Sequence, residues 1–191
     1  KKRDPIFRFE ESCLESKVIQ TKEFDKIKSE VHELIDEEAK WAEEQAHPPA
    51  SSALDFNYSQ SPELKETSFN QISDKIVLVD AINHALSEEM EKNDKMVIFG
   101  EDVADPKGGV FTATRGLTNK FGKERVFNSP LAEASIIGTA IGMACTGWKP
   151  VTEIQFADYI WPAFMQIRNE LATMRYRSNN MWNCPVVIRV P

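Results

Sequence analysis

Apolar residues recur along this chain with two different rhythms, and the change falls near residue 75. Between Thr21 and Trp41, the residues Phe24, Ile27, Val31, Leu34 and Ile35 return at helical spacing, with Glu and Lys on the opposite face. That pattern predicts one long amphipathic helix over about residues 22–45, capped by Thr21. Its apolar face can pack on its own domain, dock on a partner subunit or bind another surface; packing is the default. Ahead of it, Ile6, Phe7 and Phe9 alternate with charge too loosely for a strand. Pro5 after Asp4 predicts instead a short helix running to about Leu14. From His47-Pro48-Pro49 to about Asn70 no period survives and Ser, Pro and Asn dominate, the composition of a linker. The chain therefore divides into a helical segment (1–46), a linker (47–74) and a domain (75–191).

After Asp74, short apolar runs alternate with helical patterns, which predicts an α/β fold: a mostly parallel sheet with flanking helices. Asp80, Ile82, Ala85, Leu86 and Met90 give a capped helix over 80–92, and Met96 to Phe99 a buried strand. Gly108-Gly109 marks a turn, a helix is expected from about Thr112 to Phe121, and Arg125 to Asn128 a short strand. Ile136, Ile137, Ala140, Ile141 and Ala144 form the next helix, with Gly138 and Gly142 inside it. Each interior glycine weakens a helix by about 1 kcal/mol against Ala, so close packing is expected to compensate. Val151 to Phe156 reads as a strand, Tyr159 to Arg177 as a helix kinked or started near Pro162, and Val186 to Val190 as a last strand opened by Pro185.

Charge sharpens the division. Residues 1–74 hold ten Lys and Arg against seventeen Asp and Glu, whereas residues 75–191 hold thirteen of each, so the acidic N-terminal part carries the whole net charge of −7. No basic cluster is present to neutralise a nucleic-acid backbone, so nucleic acid is not an expected partner. No apolar run approaches the roughly 18 residues of a spanning helix and no signal peptide opens the chain; no membrane partner is expected, and the chain reads as soluble and cytoplasmic. Cys13, Cys145 and Cys184 fit neither a disulfide framework nor a zinc spacing and read as reduced thiols. Lys1 stands within a charged run and Pro191 follows a strand, so both ends read as cuts in a longer chain.

The candidate chemistry begins at Glu133, a single carboxylate in the run from Ser129 to Gly138, otherwise apolar and small. Burial there would penalise the ionised form and raise its pKa, so such a Glu is either satisfied by a partner or retained to exchange a proton. Gly100-Glu101-Asp102 stands at the C-terminal end of the strand 96–99, where ligands gather in open α/β sheets. Asp102 reads as a solvated loop acid.

Four ordered motifs then carry a resemblance: Gly100-Glu101-Asp102-Val103, Asn128 to Glu133, Glu153 to Tyr159, and Arg175-Tyr176-Arg177-Ser178. Over roughly residues 75–191 they resemble the β subunit of thiamine-diphosphate-dependent 2-oxo acid dehydrogenases, the decarboxylating component of those complexes. Phe156 to Phe164 is closer in wording to the branched-chain (2-oxoisovalerate) enzymes. Lys2 to Ile6, Arg8-Phe9 and the long acidic helix resemble the tail of the α subunit, which implies an α–β fusion.

The resemblance implies a transketolase-like pyrimidine-binding domain, truncated at its C-terminus, with thiamine diphosphate as cofactor. It makes Glu133 the acid that donates to a pyrimidine ring nitrogen, Tyr159 the aromatic ring stacked on the aminopyrimidine, Leu131 an apolar neighbour of the cofactor and Gln155 a residue facing the channel. Glu101 matches an acid near the cofactor with a part in proton relay; Arg175, Tyr176 and Arg177 match structural or interfacial positions. Diphosphate and magnesium ligands belong to the family's α part, upstream of Lys1, and a substrate-handling histidine would lie beyond Pro191. No metal ligands are assigned here, and His32, His47 and His84 do not substitute for that histidine. The implied partners are the remaining α and β portions, a dihydrolipoyl acyltransferase that receives the acyl group on its lipoyl group, a branched-chain 2-oxo acid and further copies of the protein. Alone, the chain is expected to form one wall of a site without turnover. The competing readings are pyruvate or acetoin as substrate, a non-catalytic assembly module, and a transketolase.

Overall fold

The computed structural model describes residues 4–60 and 75–191, and the chain divides into two compact units, 1–53 and 54–191. In the first, helix α1 (Pro5–Glu15) starts where Asp4 Oδ1 accepts the Ile6 N–H at 2.9 Å, satisfying a donor that the first turn leaves unpaired. Helix α2 (Thr21–Glu44) is capped one residue earlier than expected: Gln20 is the capping position, and Glu23 reaches back to accept its N–H at 2.9 Å. Lys28 of α2 joins α1 through Glu10 at 2.6 Å. Neither helix contains a buried residue, and Ile27, Val31, Leu34, Ile35 and Trp41 stay exposed. Within the stretch read as a linker, Ala50–Leu54 form a short 3-10 turn; its residues 61–74 lie outside the described residues.

The second unit runs through α3 (Leu78–Lys92), β1 (Met96–Gly100), α4 (Leu117–Phe121), β2 (Val126–Asn128), α5 (Glu133–Cys145), β3 (Lys149–Glu153), α6 (Trp161–Met165), α7 (Met174–Arg177) and β4 (Val187–Arg189). The four strands are all parallel, in the order β2-β1-β3-β4. The chain passes from β1 outward to β2, then back past β1 to β3, so the switch point opens between the C-terminal ends of β1 and β3. Side chains alternate along β1 with the period of two expected of a strand. Val97 and Phe99 pack with Ile136, Ile137 and Ala140 of α5. On the other face, Met96 and Ile98 pack with Met90 of α3 and Leu117 of α4. Every residue of β1 is buried, as befits a central parallel strand covered on both faces. Among the described residues, no helix is long and apolar enough to cross a membrane.

Further expectations shift in detail, and the strand expected over Val151 to Phe156 runs instead over Lys149–Glu153. The helix expected over 112–121 forms only from Leu117, because polar groups hold the segment before it in another shape. Glu153 accepts the Val110 N–H at 2.8 Å, Arg189 donates to the Val110 carbonyl at 3.0 Å, and Thr114 donates to the Val103 carbonyl at 2.6 Å. Phe111 and Thr112 adopt φ of 56° and 64°, which no right-handed helix tolerates. Helix α3 starts at Leu78, so Asp80 lies inside its first turn rather than capping it; an acid there complements the positive end of the helix. The single helix expected from Tyr159 to Arg177 is divided into a 3-10 turn (Ala157–Ile160), α6, a π turn (Gln166–Leu171) and α7. Pro162 sits in the first turn of α6, where a missing N–H costs little, so the π turn makes the break.

Glu153 is only 2% exposed and pairs with Arg189. Breaking a buried pair from one side leaves an uncompensated charge. Arg189→Met should therefore destabilise the fold by about 3–5 kcal/mol in urea unfolding, with partial recovery on adding Glu153→Gln. A loss under about 1 kcal/mol would mean that the pair behaves as a solvated one.

Candidate functional site

The loops leaving β1, β2 and β3 carry the residues singled out from sequence. Gly100 ends β1 against the backbone of Glu153, and a Cβ there would lie 2.5 Å from the Glu153 carbonyl oxygen. Only glycine lets the two strands end so close together, and the next residue, Glu101, is thereby drawn inside. It is 5% exposed, and its Oε1 is a buried polar atom without a hydrogen-bond partner. Burial, then the charges of Glu133 and Asp102, raise the Glu101 pKa above its ordinary value of 4.5. Asp102, expected as a solvated acid, is half-exposed and pairs with the exposed Lys107 at 2.8 Å.

Glu133 is the first residue of α5 and is half-buried, which corrects the expectation of a buried carboxylate. Its apolar company is one-sided. Ile136, Ile137 and Ala140 supply the buried face of α5, whereas its immediate neighbours Ala134 and Ser135 are exposed. The carboxyl in low dielectric is instead Glu101, and the structure brings the two acids close enough for one to shift the other. Beside them, a cleft of about 180 Å³ is lined by Phe99, Phe127, Asn128, Ser129, Ala132 and Ser135.

The remaining predicted residues occupy the same edge of the sheet. Leu131 precedes α5 and is 84% exposed, and Tyr159 is 47% exposed in the turn after β3. Gln155 lies between β3 and that turn, half-buried. Phe156 meets Tyr159 edge to face, with ring centroids 5.7 Å apart. Large apolar side chains left in water at a strand-end edge mark a binding surface, and an unpaired buried carboxyl oxygen beside them can hold a proton or donate one. Among the described residues, no group of three or more His, Cys, Asp or Glu is placed to hold a metal ion.

Sequence reasoning missed Glu153 and Arg189. Arg189 is the single charge in β4 and Glu153 the buried charge at the end of β3, and together they fix the loop after β1. Arg175 and Arg177 do act locally: Arg175 donates to Asn180 and Asn183, and Arg177 pairs with Glu170 at 2.8 Å.

The raised Glu101 pKa has a defined consequence for stability. As pH rises, the unfolded chain releases this proton first, so the group costs nothing below its ordinary value and progressively more through the window above it. Glu101→Gln removes that cost. The Tm of the variant relative to the parent should climb as pH rises through and above the ordinary value of 4.5; a difference that stays flat with pH would show that Glu101 titrates alike in both states.

Residues 74–191 match the family described as "Transketolase, pyrimidine binding domain". The chain is 55% identical over 113 residues to 2-oxoisovalerate dehydrogenase subunit beta of Bacillus subtilis (strain 168), covering 59% of this chain and 34% of that protein. It is 47% identical over 116 residues to pyruvate dehydrogenase E1 component subunit beta of Acholeplasma laidlawii, covering 61% and 35% respectively. A solved structure titled "Split gene transketolase, inactive beta4 tetramer" is similar at 28% identity and a TM-score of 0.44, over 58% of this chain and 32% of that one. The chain thus spans about a third of the length of these curated relatives. With its parallel sheet, its flanking helices and a family match over more than half its length, the chain belongs to the transketolase pyrimidine-binding-domain family.

Proposed function

We propose that this chain belongs to the decarboxylating component of a 2-oxo acid dehydrogenase and forms the pyrimidine-side wall of a thiamine diphosphate site. The observation that carries the reading is the buried, unpaired Oε1 of Glu101 beside Glu133 at the C-terminal edge of the sheet. The residues present fit the cofactor: an aromatic pair and an exposed leucine can take the faces of a heteroaromatic ring, and two acids can take its nitrogen edge. When bound, thiamine diphosphate supplies the carbon nucleophile that attacks the 2-oxo group and takes up the electron pair left by carbon dioxide.

This chain's own residues orient that ring and manage its protons. Glu133 would donate to a pyrimidine nitrogen, and Glu101, whose proton is held above the usual carboxylate range, would keep a proton available beside it. Tyr159 would stack on the ring and Leu131 would close its edge against water, with Gln155 turned to the channel. Magnesium and the diphosphate would be held by an α part.

The greater identity to the 2-oxoisovalerate relative than to the pyruvate relative supports a branched-chain 2-oxo acid as substrate, with the acyl group passing to a lipoyl group of a dihydrolipoyl acyltransferase. The acidic helices α1 and α2 would be the tail of an α part joined to the β part through residues 47–74. The working enzyme would then be an oligomer of the α–β protein in the cytoplasm, and this chain alone would not turn over.

The test is decarboxylation of a branched 2-oxo acid, and of pyruvate in parallel, by the full-length protein with thiamine diphosphate and magnesium. The parent should turn over and prefer the branched acid, and Glu133→Gln, still folded, should lose at least about 100-fold in kcat. Equal activity of parent and variant would make Glu133 structural; preference for pyruvate would reassign the substrate. A folded parent that decarboxylates neither acid would favour the assembly-module reading.

A further inference from the structure

Cys145 and Cys184 stand 39 positions apart in sequence and take no part in the site described above. The fold brings them together. Cys145 is the last residue of α5, and Cys184 lies in the segment leading into β4. Both are half-buried and pack against the same core cluster, the one built on Val97, Phe99 and Ile137. The Cys184 Sγ rests 3.8 Å from the carbonyl oxygen of Ile141. In an α-helix that oxygen accepts the N–H of the residue four positions on, here Cys145, whose side chain stands over it. A sulfur on the Ile141 oxygen therefore stands at the last turn of α5, on the side that carries Cys145. The thiols also act on each other: burial first, and then the neighbouring Cys145, pushes the Cys184 thiol up to about 12.

We infer that Cys145 and Cys184 form an oxidative modification site, closing to an intrachain disulfide that ties the C-terminal end of α5 to the approach to β4 when a low-molecular-weight disulfide is the oxidant. The thiolate of one of the two cysteines attacks one sulfur of oxidised glutathione, forming a mixed disulfide and releasing one glutathione thiolate. The other cysteine then gives up its proton and attacks the protein sulfur of that mixed disulfide, releasing the second glutathione. Two protein thiols are oxidised, one glutathione disulfide is reduced to two thiols, and the two protons leave with them. Cys13, on α1, serves as an internal control.

The test treats the folded chain with oxidised glutathione at mildly alkaline pH, quenches it, alkylates the remaining thiols under denaturing conditions and maps the peptides by mass. The expected result is loss of two of the three alkylatable thiols, a chain two hydrogen atoms lighter, a linked peptide pair joining Cys145 to Cys184, and full reversal by dithiothreitol. Cys145→Ser should abolish the link and leave Cys184 alkylatable or singly glutathionylated. Because the parent carries the primary readout, a poorly folding variant does not blunt the test. Three thiols still alkylatable, glutathione adducts that stop at one cysteine, or a link through Cys13 would each overturn the inference.

Discussion

The site edge of this fold depends on one buried ion pair. Glu153 ends the central strand β3 and Arg189 ends its neighbour β4, and between them they engage the N–H and the carbonyl of Val110, a residue of the loop that follows β1. Three segments distant in sequence are thus pinned at the switch point. The loop held there cannot relax into the helix that its sequence suggests: Phe111 and Thr112 remain left-handed. Gly109 in that loop leaves no room for a side chain, since a Cβ would meet Thr114 Oγ1 at 2.9 Å and Glu153 Oε2 at 3.1 Å. A buried pair of this kind contributes little net stability over apolar packing, but it specifies geometry wherever its members reach backbone groups.

That geometry places Glu101. Because β1 and β3 converge at Gly100, the next carboxyl goes into the protein with one oxygen unsatisfied, and the nearby charge of Glu133 adds to the cost of ionising it. Two acids in one site with unequal burial are the arrangement by which carboxyl groups come to play different roles. Here burial raises the pKa of the buried member, and the half-buried member is left at the edge, two residues after the exposed Leu131.

Much of the architecture was legible because it rests on periodicity. The strand at 96–99, the helix over Ile136 to Ala144 and the long acidic helix follow from spacing alone, and the parallel sheet follows from their alternation. What escaped most clearly was the loop at 109–112, set by long-range polar contacts to Glu153 and Arg189 that no local pattern encodes; the π turn at Gln166–Leu171 and the thiol pair were not foreseen either. The candidate residues lie after strands at one edge of the sheet, as their places in the sequence suggested, but the burial of Glu133 was misread. Glu133 looked like the buried acid because its neighbours are small and apolar, but a helix start exposes one side of such a run; Glu101 was read as an acid near the cofactor with no expectation of burial, and the strand convergence at Gly100 buried it. Glu153, read as one letter of a motif, had the character that was assigned to Glu133.

The central claim is that Glu101 and Glu133 form an unequal carboxyl pair in which one member keeps its proton beyond the usual range. Titrating the side-chain carboxyl carbons of isotopically labelled glutamate by nuclear magnetic resonance, in the parent and in Glu133→Gln, tests it most directly. The account predicts a Glu101 resonance that titrates above the ordinary 4.5 and moves back toward it when Glu133 is neutralised. A Glu101 carboxyl that titrates at the ordinary value in both proteins would contradict it.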